Sequence, residues 1–132
     1  MPYELIWEDR GVVARYWGVA SDHDLQQANR DIVNSLRFAD IDYTLDDYTN
    51  VTRIDFSSHV VRRSADLDLQ ASKRNPSLRV AIVGEDKLLL GLANMYRLTL
   101  DSQGGPWEQG HFAAMDEARA WLAGEDQRRE EC

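Results

Sequence analysis

A chain of 132 residues is long enough to bury one core and too short for two domains. Its 43% hydrophobic content, with four Trp, five Tyr and three Phe, excludes the composition of a disordered segment. A formal net charge of -8 repels phosphate backbones and anionic headgroups, so neither nucleic acid nor an acidic membrane surface is expected as partner.

The lone Cys132 has no internal partner for a disulfide, and no charged-then-apolar leader or long apolar span appears. The expectation is a cytoplasmic protein without stable membrane insertion. From the N-terminus, Tyr3–Glu8 alternates loosely and Gly11–Tyr16 is β-branched and aromatic, with Glu8-Asp9-Arg10-Gly11 between them. This pattern predicts an antiparallel hairpin. Ser21 with Asp24 three residues on has the spacing of a capping box, which starts a helix. Leu25, Ala28, Ile32, Val33 and Leu36 predict its core-facing stripe, opposite Gln26, Gln27, Arg30, Asp31 and Asn34.

The stretch Ile41–Val61 concentrates polar groups. Tyr43–Tyr48 reads as a strand carrying Asp46 and Asp47. A loop with Asn50, Thr52 and Asp55 follows, and Ser57 stands where it would cap a second helix, its hydroxyl among orphan backbone donors. Phe56 and Val61 flank that cap at the spacing of a hydrophobic staple. The helix is expected from Ser58 to about Arg74, with Val60, Val61, Ala65, Leu67 and Ala71 inward and Arg62, Arg63, Asp66 and Asp68 among its polar positions. Asn75-Pro76 ends it.

Leu78–Val83 is a nearly unbroken apolar run, which predicts an interior parallel strand covered on both faces. Gly84-Glu85-Asp86 turns into a third helix, 86–98, in which Leu88, Leu89, Leu90, Leu92, Ala93, Met95, Tyr96 and Leu98 leave little polar face. One sheet face cannot hide them all, so a homodimer or an apolar patch is expected there. Asp101–Pro106 is a Gly/Pro-rich turn, Trp107–Phe112 a short edge strand, and Met115–Leu122 a last helix with Ala118, Trp121 and Leu122 inward. Residues 124–132 form a charged flexible tail, leaving 1–123 as the domain.

The element order predicts an α/β domain: a five-stranded mixed, mostly parallel sheet with an N-terminal antiparallel hairpin and four helices. In such sheets partners and ligands use the crevice at the carboxyl ends of the strands. Asp46 and Asp47 point to opposite faces of their strand, which disfavours an acid/base pair. His23, His59 and His111 lie on separate elements, so no metal set is expected. Cys132 lacks a positioning base, and Gly104-Gly105-Pro106 lacks the Lys-Ser/Thr ending of a phosphate loop. No catalytic residue and no cofactor is expected.

Five segments carry a resemblance through their order and spacing: Gly11–Gly18, Leu45-Asp46-Asp47, Val51-Thr52-Arg53-Ile54-Asp55, Arg79–Val83 and Glu117-Ala118-Arg119-Ala120-Trp121-Leu122. Together they resemble the small stand-alone bacterial STAS/SpoIIAA-like proteins, the fold of anti-sigma-factor antagonists, over nearly the whole chain. The resemblance implies a non-catalytic regulatory or protein-interaction module that docks a protein partner near the start of the second helix. In the antagonists, a Ser within an Asp-Ser-Ser/Thr-Gly-type segment at that point is phosphorylated by a partner kinase that is also the anti-sigma factor. The matching segment here is Asp55-Phe56-Ser57-Ser58-His59, in which Phe56 separates the Asp from the hydroxyls and His59 replaces the Gly. The candidate regulatory or partner-binding residues are therefore Asp46, Asp47, Asn50, Asp55, Ser57 and Ser58. The alternative is a small apolar-ligand or lipid-binding protein related to the Sec14-type fold, suggested by the apolar third helix.

Overall fold

A computed structural model of the protein describes residues 2–124; the expected tail, beyond Gly124, lies outside the described residues. Period-two alternation gives β1 (Tyr3–Trp7) and β2 (Gly11–Ser21), paired antiparallel from Tyr3↔Tyr16 to Trp7↔Val12. The chain then alternates through α1 (Asp22–Val33), a 3₁₀ turn (Phe38–Asp40), β3 (Tyr43–Asp55), α2 (Ser58–Ala71), β4 (Arg79–Val83), α3 (Lys87–Ser102), β5 (Glu108–Phe112) and α4 (Met115–Leu122). The strands lie in the order β1-β2-β3-β4-β5, and every pair after the first is parallel. This is the expected five-stranded mixed α/β sheet with four helices.

Because both faces of the parallel strands are covered, β4 reads as a continuous apolar run. Val80 packs into the core under α1, α2 and α3, while Ala81 and Val83 join Val13, Leu45 and Ala118 under α4. The three helices on the first face start on side-chain caps. Ser21 and Asp24 close the capping box, the Ser21 amide donating to Asp24 Oδ2 at 3.0 Å. Asp86 accepts from the Leu88 and Leu89 amides at the head of α3. After α2, Asn75 is buried; its Nδ2 donates to the Phe38 and Ile41 carbonyls, and its own carbonyl accepts from Trp107 Nε1 at 2.7 Å. Side chain and backbone of this one residue tie three connections together.

Below α4, Arg119 donates from both terminal nitrogens to Glu8, at 2.6 and 2.8 Å, and the Tyr43 hydroxyl also donates to Glu8. These hydrogen bonds from Arg119 hold the Glu8 carboxyl down at about 2. The Tyr43 ring fits because position 11 is glycine: a Cβ there would stand 2.3 Å from the ring.

Several boundaries differ from the sequence reading. The strand expected to stop at Tyr48 continues to Asp55, so Asn50, Thr52 and Asp55 lie in β3 and not in a loop. It continues because β2 also runs on to Ser21 and keeps offering a ladder, from Trp17↔Asn50 to Ser21↔Asp55. Leu36 lies beyond the end of α1 and is 98% exposed, since the helix stops at Val33. The second helix ends at Ala71, and Asp68, read as an outward polar residue, is buried on its inner stripe while Leu67 is only half-buried. The third helix runs four residues further than expected, to Ser102.

The paired ends of β2 and β3 do not run straight. Between Arg15 and Trp17, and again between Gly18 and Val19, the register shifts by one extra residue on β3, and such bulges bend a strand pair. Gly18 supplies the left-handed conformation, φ 64°, at the bend. Eight residues of straight strand would span about 26 Å, yet the rings of Tyr48 and Phe56 lie 6.0 Å apart. The ribbon therefore curls back over the sheet and delivers the start of α2 to the edge of a cavity.

Candidate functional site

At the end of the curled ribbon, Ser57 is the N-cap of α2, and its Oγ accepts from the Val60 amide at 3.1 Å. Phe56 and Val61 are both buried beside this cap, as a staple requires. Ser57, Ser58 and His59 are exposed. The Ser57 amide donates to Asp22 Oδ1 at 2.7 Å, which links the first residue of α1 to the cap of α2. Asp55 is exposed within 4.0 Å of Arg53, and Asn50 is exposed at the bend. Asn50, Asp55, Ser57 and Ser58 thus all face solvent on the bent ribbon and the cap that follows it.

Asp46 and Asp47 leave this group in opposite directions, as expected for neighbours on a strand. Asp47 is 3% exposed. It accepts from the Thr49 amide and hydroxyl at 3.0 and 2.7 Å and lies 3.6 Å from Arg15 Nε. These bonds brace the first bulge, so Asp47 is a structural residue of the ribbon and stands apart from the crevice in which the sequence reading had placed it. Asp46 faces the other way, into a cavity of about 90 Å³ between the sheet and α1, α2 and α3.

The cavity collects residues from six elements. Asn29 comes from α1, Tyr16 from β2, Tyr48 and Asp46 from β3, Ser64 and Asp68 from α2, Ile82 from β4 and Tyr96 from α3. Tyr16 and Tyr48 stack, with ring centroids 4.7 Å apart. The Tyr96 hydroxyl donates to Asp68 Oδ2. Burial, added to by the charge of Asp68, pushes the Asp46 carboxyl up to about 7. Burial likewise pushes Asp68 up to about 7 against the opposing hydrogen bonds of Tyr96 and Asn29. Asp46 is half-buried, as are Leu25, Asn29 and Leu92, which line the same cavity.

Sequence reading missed Asp68, Tyr96 and Asp22 as members of this region. For Asp68 a signal existed: Val60, Val61, Ser64, Ala65, Asp68 and Ala71 share one helical stripe, and ranking by hydrophobicity put Leu67 in its place. For Asp22 there was none, because its contact with Ser57 spans 35 positions in the chain. No group of three or more metal-binding side chains occurs among the described residues, and no helix among them is long and apolar enough to cross a membrane.

The hairpin, the parallel run that follows it and the helix beginning at the exposed serines define a SpoIIAA-like fold. No family model matches the chain, and no curated protein matches it in sequence. Among solved structures it is similar to the anti-sigma factor antagonist SpoIIAA in its unphosphorylated form, with a TM-score of 0.60 and 15% identity over 92% of this chain and 96% of that one. The Bacillus cell fate determinant SpoIIAA in the phosphorylated form is similar with a TM-score of 0.53 and 18% identity, over 91% of this chain and 98% of its own. An uncharacterized DUF3478-family protein with a SpoIIAA-like fold from Shewanella loihica PV-4 is similar with a TM-score of 0.54 and 21% identity, over 91% of each chain.

Proposed function

We propose that the chain is a non-catalytic regulatory or protein-interaction module of STAS/SpoIIAA type, cytoplasmic, with residues 1–123 as its working unit and a protein partner docked at the start of α2. One observation carries this reading: the exposed Ser57 and Ser58 hydroxyls stand at the head of α2, on a fold shared with an antagonist known in unphosphorylated and phosphorylated forms. Ser57, Ser58, Asp55 and Asn50 form the docking edge, with Asp46 behind it in the cavity and Asp47 bracing the ribbon.

A phosphate on Ser57 would meet the free amides and positive dipole end of α2. It would also meet Asp22, which now accepts from the Ser57 amide, and Asp55. Phosphorylation therefore strains the α1–α2 junction and ejects an acidic partner. Affinity capture with wild type, Ser57→Ala and Ser57→Asp as baits tests this. A partner held by the first two and lost by the third supports the reading, and equal capture by all three reduces Ser57 to a helix cap.

A second reading, a small-ligand binding protein, is favoured by the cavity, whose walls are mostly aliphatic and aromatic. Its volume of about 90 Å³ suits a molecule of about half a dozen heavy atoms rather than a lipid tail.

A further inference from the structure

The cavity contains polar chemistry that docking at Ser57 does not use. Asp46 enters it from β3, and among the described residues the charge that acts on its carboxyl is that of another acid, Asp68 from α2. Asp68 is 7% exposed, and its hydrogen-bond donors are the Tyr96 hydroxyl and the Asn29 amide. Among the described residues no cation pairs with either carboxyl. Ser64, also 7% exposed, lines the same cavity one turn before Asp68, and its Oγ has no hydrogen-bond partner. Buried polar atoms are normally satisfied by protein, water or ligand, so an orphan hydroxyl beside two uncompensated acids marks a place prepared for a donor-rich guest.

Tyr16, Tyr48 and Tyr96 lie within electrostatic reach of Asp46 and bring aromatic surface to the acid pair. Aromatic faces attract cations, and an ammonium group offers three donors with one positive charge. Leu25, Ile32, Val61 and Leu92 supply the apolar remainder of the wall. At roughly 10–15 Å³ per water-sized volume, about 90 Å³ accommodates about six heavy atoms.

We propose that this cavity binds a small primary ammonium compound with a short apolar body, Asp46 and Asp68 taking the charged head and the aliphatic wall taking the body. This rests on the small-ligand reading and narrows it to one chemical class. An anion is repelled by the acid pair, and a neutral alcohol leaves one carboxyl without a counter-charge. The head's single positive charge balances one ionised carboxyl, and the other keeps its proton.

Calorimetric titration with n-butylamine, 1-butanol and butanoate, which share one carbon skeleton, distinguishes the classes. n-Butylamine is expected to bind at least tenfold more tightly than 1-butanol, and butanoate is expected not to bind. Asp46→Asn is expected to weaken n-butylamine at least tenfold and to abolish its preference over 1-butanol. Asp68→Asn should act in the same direction, but Asp68 also anchors Tyr96. Asp46→Asn, checked for folding by circular dichroism, therefore decides the matter. Equal binding of amine and alcohol overturns ammonium recognition while keeping a small-ligand cavity. Absence of binding by both overturns the two together.

Discussion

Ser57 has a capping role and a proposed docking role, and substitution parts them. As the N-cap of α2 it satisfies the Val60 amide, so Ser57→Ala is expected to lower stability by about 1 kcal/mol in urea denaturation while leaving partner binding nearly intact. Ser57→Asp keeps a capping oxygen but adds charge beside Asp22, and is expected to weaken the partner complex far more than the fold. Asp46 offers a test by pH. Its folded carboxyl sits near 7, above its ordinary 3.8, so the folded state holds a proton that the unfolded chain has lost. Stability from this group is complete below about pH 4 and falls as pH rises through about 7. Asp46→Asn is therefore expected to raise the melting temperature at pH 8 and to change it little at pH 4; an unchanged melt at pH 8 would mean that the acid pair is not strained.

Periodicity made most elements legible, but the bent ribbon was not. The capping box of α1, the staple at Phe56 and Val61, the apolar β4 run and the bounds of α4 all follow from local spacing. The extension of β3 does not, because Asn50 and Asp55 are poor strand formers whose ladder partners lie more than thirty residues upstream in β2. The cap at Ser57 was legible from its spacing, and the cavity beside it was not, since its acids meet only once α2 is laid on the sheet. Two glycines test the ribbon and hairpin. Gly11→Ala drives a methyl into the Tyr43 ring and is expected to cost about 1–3 kcal/mol. Gly18→Ala meets no neighbouring atom but must hold φ near 64°, at about 1–2 kcal/mol. Denaturant midpoints of the two variants measure both; a neutral Gly11→Ala would contradict the closeness of Tyr43.

At the scale of the whole molecule, charge and apolar surface set the response to conditions. Glu8, held near 2 by Arg119 against its ordinary 4.5, contributes stability that is present above about pH 4.5 and lost as pH falls toward 2. With the opposite trend of Asp46 and Asp68, whose contribution declines from about pH 4 upward, this places the expected maximum of thermal stability near pH 4 to 4.5. Glu8→Gln is expected to flatten the acid side of that profile. Leu88, Leu90 and Leu98 are exposed on α3, and such patches favour self-association. Light scattering is expected to show a homodimer that Leu90→Lys with Leu98→Lys converts to monomer.

Docking at the head of α2 is tested most directly by amide hydrogen exchange on the complex with the captured partner. Protection is expected across residues 50–64, with the amides of Ser58, His59 and Val60 slowed most and the amides of α4 unchanged. Protection confined to α3 or α4, with the head of α2 exchanging as in the free protein, would contradict a regulatory site at Ser57.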